Sequence, residues 1–178
     1  MLAVYTGLRQ GELLALKWDD VNVESGALQV RRTLVTTKDG PDLAAPKTKS
    51  SRRSVKLTGS ATDTLRSHLE RQQREIEEAE SHWQGNGLVF ASEVGEPLDR
   101  HLVARRFGAL LERAGVPKIR FHDLRHTCAT LLLLKNVNPK IVSEMLGHAT
   151  VSITLDTYSH LLPNMQDHAA KALDETLD

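Results

Sequence analysis

Apolar residues recur at helical spacing near both ends of the chain and alternate at strand spacing in between. Leu2-Ala3-Val4-Tyr5-Thr6 reads as the last turn of a helix that Gly7 stops, and a second helix starting near Arg9 turns Leu13, Leu14 and Leu16 inward. Residues 18–57 read as β. Val21-Asn22-Val23 and Leu28-Gln29-Val30 alternate around a turn at Glu24-Ser25-Gly26, and Val55 and Leu57 alternate after a basic stretch. Between them, residues 38–42 (Lys-Asp-Gly-Pro-Asp) form a polar loop. Ser60 to about Ser81 is a long charged helix with a thin stripe of Leu65, Leu69 and Ile76. Gly85-Asn86-Gly87 is a turn, and Leu88-Val89-Phe90 a short buried segment. The next helix runs from about Asp99 to Ala114 with Leu102, Phe107, Leu110 and Leu111 inward, and Gly115-Val116-Pro117 ends it. A helix opening at His122-Asp123-Leu124-Arg125 sends a stripe of Leu124, Cys128, Leu131 and Leu132 into the core. Asn138 caps the helix that follows, Pro139 takes its first position, and Gly147 stops it after Leu146. Thr150 to Tyr158 and the polar stretch 164–178, with Met165, Ala169, Ala172 and Leu173 as a weak apolar side, are also helical in pattern. These elements predict a mainly helical α+β fold with a small antiparallel sheet or hairpin at one edge.

Composition narrows the class. At 178 residues the chain suits a single domain with a good-sized core. Its 23 Lys and Arg balance 23 Asp and Glu, which argues against a protein that coats nucleic acid without specificity, while leaving room for a local basic face. Cys128 is the single cysteine, which excludes a disulfide framework or a thiolate zinc site within the chain. It lies on an apolar stripe and reads as core filler. Neither a signal peptide nor a bilayer-length apolar run is visible, so a cytoplasmic protein is expected. The first residues are already apolar helix, so the chain is expected to begin inside a domain.

Candidate chemistry gathers at helix starts and in one basic segment. His122 and Arg125 are three apart, which puts them on one side of a first turn beside His126 and makes a receptor for phosphate or carboxylate. Arg9 and Glu12 have the same spacing, which also fits a surface ion pair worth under about 1 kcal/mol. Five cations between 47 and 56 (Lys47, Lys49, Arg52, Arg53 and Lys56) form either a solvated edge guarded against aggregation or an arm that contacts phosphates. Arg100, His101, Arg105 and Arg106 give the 99–114 helix a cationic face. His148 follows the Gly147 stop, and Tyr158 could approach it.

Read in order, Thr6-Gly7-Leu8-Arg9-Gln10-Gly11-Glu12, Lys47-Thr48-Lys49-Ser50-Ser51-Arg52-Arg53, His122-Asp123-Leu124-Arg125-His126, Leu146-Gly147-His148 and Tyr158-Ser159-His160 resemble the tyrosine recombinase (phage integrase) family over essentially the whole chain. The resemblance implies the recombinase catalytic core as the fold and site-specific DNA recombination or integration as the activity. It assigns Arg9 and Arg125 to the non-bridging phosphate oxygens, His122 and His148 to the same phosphate or its protons, and Tyr158 to nucleophilic attack giving a 3′-phosphotyrosine. A hairpin lysine would protonate the leaving 5′ oxygen; Lys47 is the better match and Lys49 the reserve. Glu12 would orient Arg9 or a histidine. Lys49, Arg52, Arg53, Arg105 and Arg106 are the expected DNA contacts. No cofactor or metal is expected, because no carboxylate cluster suits two metal ions and no Gly-x-x-x-x-Gly-Lys-Ser/Thr loop occurs. The implied partners are double-stranded DNA and like subunits, assembled as a tetramer on two sites through the C-terminal helix. Family members usually carry an N-terminal helical DNA-binding domain, so residues 1–178 are expected to be a catalytic-domain fragment. Competing readings are relaxation of DNA by a type IB topoisomerase-like enzyme, a non-catalytic DNA-binding module, and a metal hydrolase built on His122, His126 and His148.

Overall fold

The computed structural model describes residues 1–38, 40–46, 48–159, 170 and 173–177, with Lys49 described in its backbone only. Two short helices open the chain, α1 (Leu2–Thr6) and α2 (Gln10–Leu14). Gly7 ends α1 in the left-handed conformation (φ 62°), and a Cβ there would stand 2.5 Å from Leu146 Cδ2 and 3.3 Å from Cys128 Sγ. Glycine is required twice over, for the backbone conformation and for the close approach of α1 to the C-terminal helices.

Strands follow: β1 (Val21–Asn22), β2 (Ala27–Val30), β3 (Thr33–Thr37), β4 (Gly40–Ala44) and β5 (Arg53–Lys56). β1, β2 and β5 form an antiparallel sheet in that order, with Val21 opposite Leu28 and Leu28 opposite Val55; β3 and β4 pair separately, with Leu34 opposite Leu43. Three of the five residues of the expected polar loop, 40–42, are therefore strand. Pro41 is tolerated there because β4 is an edge strand with no further neighbour to bond. Trp18–Asp20 and Lys49–Ser51 are single 3-10 turns inside the region read as β.

α3 (Gly59–Ala79) buries Ala61, Thr62, Leu65 and Gln72, whereas Ile76 is 38% exposed. Gln72 takes the place of the expected apolar contact. It accepts from Trp18 Nε1 at 2.6 Å and donates to the Leu88 carbonyl at 3.1 Å, so a buried amide is satisfied at both ends. α4 (Arg100–Arg113) contains no buried residue, and Leu110, expected inward, is exposed. Val103 and the Phe107–Phe121 ring contact hold this helix at the rim of an apolar cleft of about 670 Å³.

The remaining helices are α5 (Asp123–Leu134), α6 (Pro139–Leu146) and α7 (Val151–Tyr158). On α5 the buried stripe is Arg125, Cys128, Ala129 and Leu133. It is rotated from the expected one, and Leu131 faces solvent. Ala129 and Leu133 pack with Val142, Leu146 and Tyr158, while a larger core joins Leu2, Leu8, Leu13, Leu28, Val55, Leu65 and Val89 across the first helices, the sheet and α3. Residues 173–177 are helical; the rest of the expected helix 164–178, apart from residue 170, lies outside the described residues. Among the described residues no helix is long and apolar enough to cross a membrane.

Candidate active site

The site forms where two helix ends meet. Gly7 closes α1 and Gly147 closes α6, both left-handed, and each carbonyl receives an arginine from the opposite half of the chain. Arg125 Nη1 donates to the Gly7 carbonyl at 2.7 Å, and Arg9 Nη2 donates to the Gly147 carbonyl at 3.3 Å. Cations are favoured at helix C-termini, where carbonyls lack partners within the helix. The arginines expected to share one phosphate thus reach into the same cluster.

Glu12 is the buried anchor of that cluster. It accepts from the Arg9 backbone N–H and Nη1, both at 2.9 Å, and from Arg53 Nη1 at 3.1 Å and Nη2 at 2.9 Å. The Glu12 side chain is 3% exposed and that of Arg53 only 7%, whereas Arg9 keeps 39% open to solvent. Burial alone would raise the Glu12 carboxyl; the hydrogen bonds and charge of Arg53, then those of Arg9, overcome it and hold it below the ordinary range. Arg53 also donates through Nε to the Met145 carbonyl at 2.6 Å, tying β5 to the end of α6. Expected among DNA contacts, Arg53 is instead enclosed by protein. The reason is β alternation, which turns it to the same side as buried Val55.

Arg125 is 3% exposed, and its Nη2 has no hydrogen-bond partner among the described residues. Burial, then the charge of Arg9, lower its guanidinium to about 10, against a pull upward from Glu12. It therefore stays cationic at neutral pH. A buried donor without a partner costs about 1–3 kcal/mol, a cost that an anion reaching Nη2 would relieve. His148 lies half-buried with Nδ1 2.8 Å from Thr154 Oγ1; burial, then Arg125, Arg9 and Arg53, push it down to about 4, so its ring is neutral at pH 7. His122 stands at the start of α5, lowered by desolvation and then by its neighbours His126 and Arg125.

Tyr158, at the end of α7, is 4% exposed. Its hydroxyl lies 2.7 Å from Nδ1 of His126, not against His148. Burial raises the phenol, Arg125 pulls it back, and Cys128 adds to the rise. No local cue in the sequence marks His126 for this contact, because its meeting with Tyr158 depends on how α7 lies against α5. Nothing in local spacing fixes that angle. Arg9, Glu12, His126, Arg125, His148 and Tyr158 are therefore brought together, with His122 stacked edge-on against His126 at 5.2 Å between ring centroids.

Lys47 and the side chain of Lys49 lie outside the described residues. The Lys49–Ser51 turn leads directly into β5, so the basic loop borders the cluster through Arg53, while Arg52 is exposed. Arg105 and Arg106 are exposed on α4. Among the described residues no three His, Cys, Asp or Glu side chains stand together so as to hold a metal ion.

The chain is 38% identical to a tyrosine recombinase XerC-like protein of Caldanaerobacter subterraneus, covering 98% of this chain and 48% of that one. It is 30% identical to the ICEBs1 integrase of Bacillus subtilis, covering 99% and 48%. The chain thus spans about half the length of these curated relatives. The Tn1549 transposon integrase, solved in complex with a circular intermediate DNA, superposes with a TM-score of 0.76 at 25% identity over 99% of this chain and 57% of that one. The Phage integrase family model matches residues 1–165, and with this fold and these residues the chain belongs to that family, the tyrosine recombinases.

Proposed function

We propose that the chain is the catalytic domain, residues 1–178, of an enzyme that cuts and rejoins DNA at specific sites through a 3′-phosphotyrosine, without a metal ion. The observation that carries this reading is the interlock of Arg9 and Arg125 through the carbonyls of Gly147 and Gly7, with Tyr158 on the same cluster. Attack on a phosphodiester builds negative charge on the non-bridging oxygens, and guanidinium groups already held in place stabilise that charge without reorganising. Arg125, with its unpaired Nη2, and the half-open Arg9 take those oxygens. His122 and neutral His148 supply hydrogen bonds to the same phosphate, and Glu12 fixes Arg9 from behind. Tyr158 attacks phosphorus, and a lysine of the basic loop, Lys47 before Lys49, protonates the departing 5′ oxygen. Arg52, Lys49, Arg105 and Arg106 contact the flanking backbone, whereas Arg53 acts by holding the loop's base.

The DNA partner is supported by the Tn1549 integrase, which was solved with DNA. Assembly as a tetramer through the C-terminal segment is supported by apolar side chains left in solvent: Leu131, Leu134, Ile141 and Ile153 on α5–α7, and Leu173 and Leu177 near the C-terminus. Truncation after Pro163 should abolish that assembly on DNA; unchanged assembly would sink this part of the reading.

Covalent trapping tests the chemistry. The chain is mixed with a pool of nicked duplexes of random sequence, and protein–DNA adducts that survive denaturation are recovered. Adducts that form in chelator and vanish in Tyr158→Phe support the reading. Binding without an adduct points to the DNA-binding module instead, and loss of the adduct in chelator to a metal enzyme. Loss of cleavage in Lys47→Ala, restored when the leaving 5′ oxygen is replaced by sulfur, identifies the general acid; the same pattern in Lys49→Ala moves the role there.

A further inference from the structure

The proposed reaction leaves one proton unassigned, that of the Tyr158 hydroxyl. We propose that His126 takes it: as the tyrosine oxygen attacks phosphorus, the phenolic proton passes to Nδ1 of His126, and it returns when the strand is rejoined. The inference rests on the reading under Proposed function. Its own ground is the 2.7 Å contact between Nδ1 of His126 and the Tyr158 hydroxyl, within the reach a general base needs.

The other histidines of the site are placed for different work. Nδ1 of His148 is occupied by Thr154 Oγ1 at 2.8 Å, and the arginines around this ring oppose any positive charge on it. His122 contacts the ring of His126 edge-on and stands on the solvent side of the helix start. His126 follows Arg125 directly on α5, so the proton acceptor and the phosphate-binding guanidinium are set on one rigid element while α7 brings the nucleophile to them. The charged and titratable groups around His126 are His122, Asp123 and Arg125 on its own helix, His148 after α6, and Tyr158 on α7.

The step balances. His126 begins as the tautomer protonated on Nε2 with its Nδ1 lone pair toward the phenol. The Tyr158 oxygen forms the new P–O bond, the P–O5′ bond breaks, and the 5′ oxygen leaves with a proton from the lysine. His126 becomes imidazolium and Tyr158 a phosphodiester. In the reverse direction a 5′ hydroxyl attacks phosphorus, its proton goes to the lysine, and Tyr158 departs with the proton that His126 returns.

The test uses the nicked duplex recovered by trapping. His126→Gln should slow adduct formation roughly 100-fold or more, in the range expected for loss of a positioned base. Replacing Tyr158 by a fluorinated tyrosine, whose phenol ionises unaided near neutral pH, should restore most of the rate in His126→Gln. A merely structural role for His126 cannot produce that rescue. A rate within about threefold of the unaltered chain, or a loss that the fluorinated tyrosine does not repair, overturns the proposal. Should His126→Gln fail to fold, His126→Asn carries the same test: a slowed rate that the fluorinated tyrosine restores is expected, and a rate within about threefold of the unaltered chain, or a loss that it does not repair, overturns the assignment. No adduct from the unaltered chain on any duplex removes the function reading and this inference together. Equal rates with and without His126 remove only the inference.

Discussion

The two sides of the site are held very differently. On the arginine side, Glu12 receives hydrogen bonds from Arg9 and Arg53, and Arg53 reaches on to the Met145 carbonyl, all within a nearly closed interior. On the tyrosine side, Tyr158 is fixed by apolar packing on α5 and α6 and by a hydrogen bond to His126. A multidentate buried network has one geometry and resists rearrangement. A side chain at the last position of a two-turn helix can be moved for the loss of a few contacts. This division suits a reaction in which charge stabilisation must be fixed beforehand while the attacking group must reach its target.

Substitutions can break or sharpen that contrast. The largest effect belongs to Glu12→Ala, which strands buried Arg53 without its partner and should lower unfolding stability by about 3–5 kcal/mol in a urea titration. Gly147→Ala comes next, at about 2 kcal/mol in the same titration. The left-handed backbone (φ 71°) is strained for alanine, and its Cβ would meet Arg53 Nη1 at 2.8 Å and the Ser50 carbonyl at 3.0 Å. Tyr158→Phe should cost only about 1 kcal/mol, the net worth of one hydrogen bond, seen as a few degrees in thermal unfolding. Were Tyr158→Phe as damaging as Glu12→Ala, the two sides would be equally rigid and the contrast would be lost.

A separate effect is on pH. The unfolded His148 ring takes up its proton near its ordinary value of 6.5, but the folded one only near 4. The unfolded state therefore binds more protons in that window, and stability falls as pH drops from 6.5 toward 4. Lowered His122 adds in the same direction, and lowered Glu12 extends the loss further into acid. His148→Asn should flatten the part between pH 6.5 and 4.5, read as the shift in unfolding midpoint. An equally steep fall in that variant would place its cause elsewhere.

Much of the frame was legible because stop signals are local. Gly7, Gly147 and the Asn138-Pro139 start act through backbone conformation within a few residues, and each ends or begins a helix where expected. The family pattern implies one phosphate for Arg9 and Arg125; in the structure their guanidinium groups reach the carbonyls of Gly147 and Gly7 at two helix ends. What the pattern missed depends on packing. The α5 stripe is rotated because a buried arginine, which hydropathy excludes from a core, occupies one of its positions. The alternation of Arg53 with Val55 turns it inward, a cue that the cations around it mask. Gln72 looks like a surface residue until Trp18 and the Leu88 carbonyl meet it. α4 carries the right spacing for burial but caps a cleft and leaves Leu110 in solvent.

The crossed arginine bonds have a practical consequence. Arg125 clasps the loop that follows the first helix, while Arg9 and Arg53 clasp the end of α6, so the halves of the polypeptide hook into each other from both directions. The connection between them includes the exposed segment Gly85-Asn86-Gly87. Two separately expressed pieces divided at Gly85 should find each other and re-form the arginine cluster, which would make this fold a scaffold for split-protein complementation.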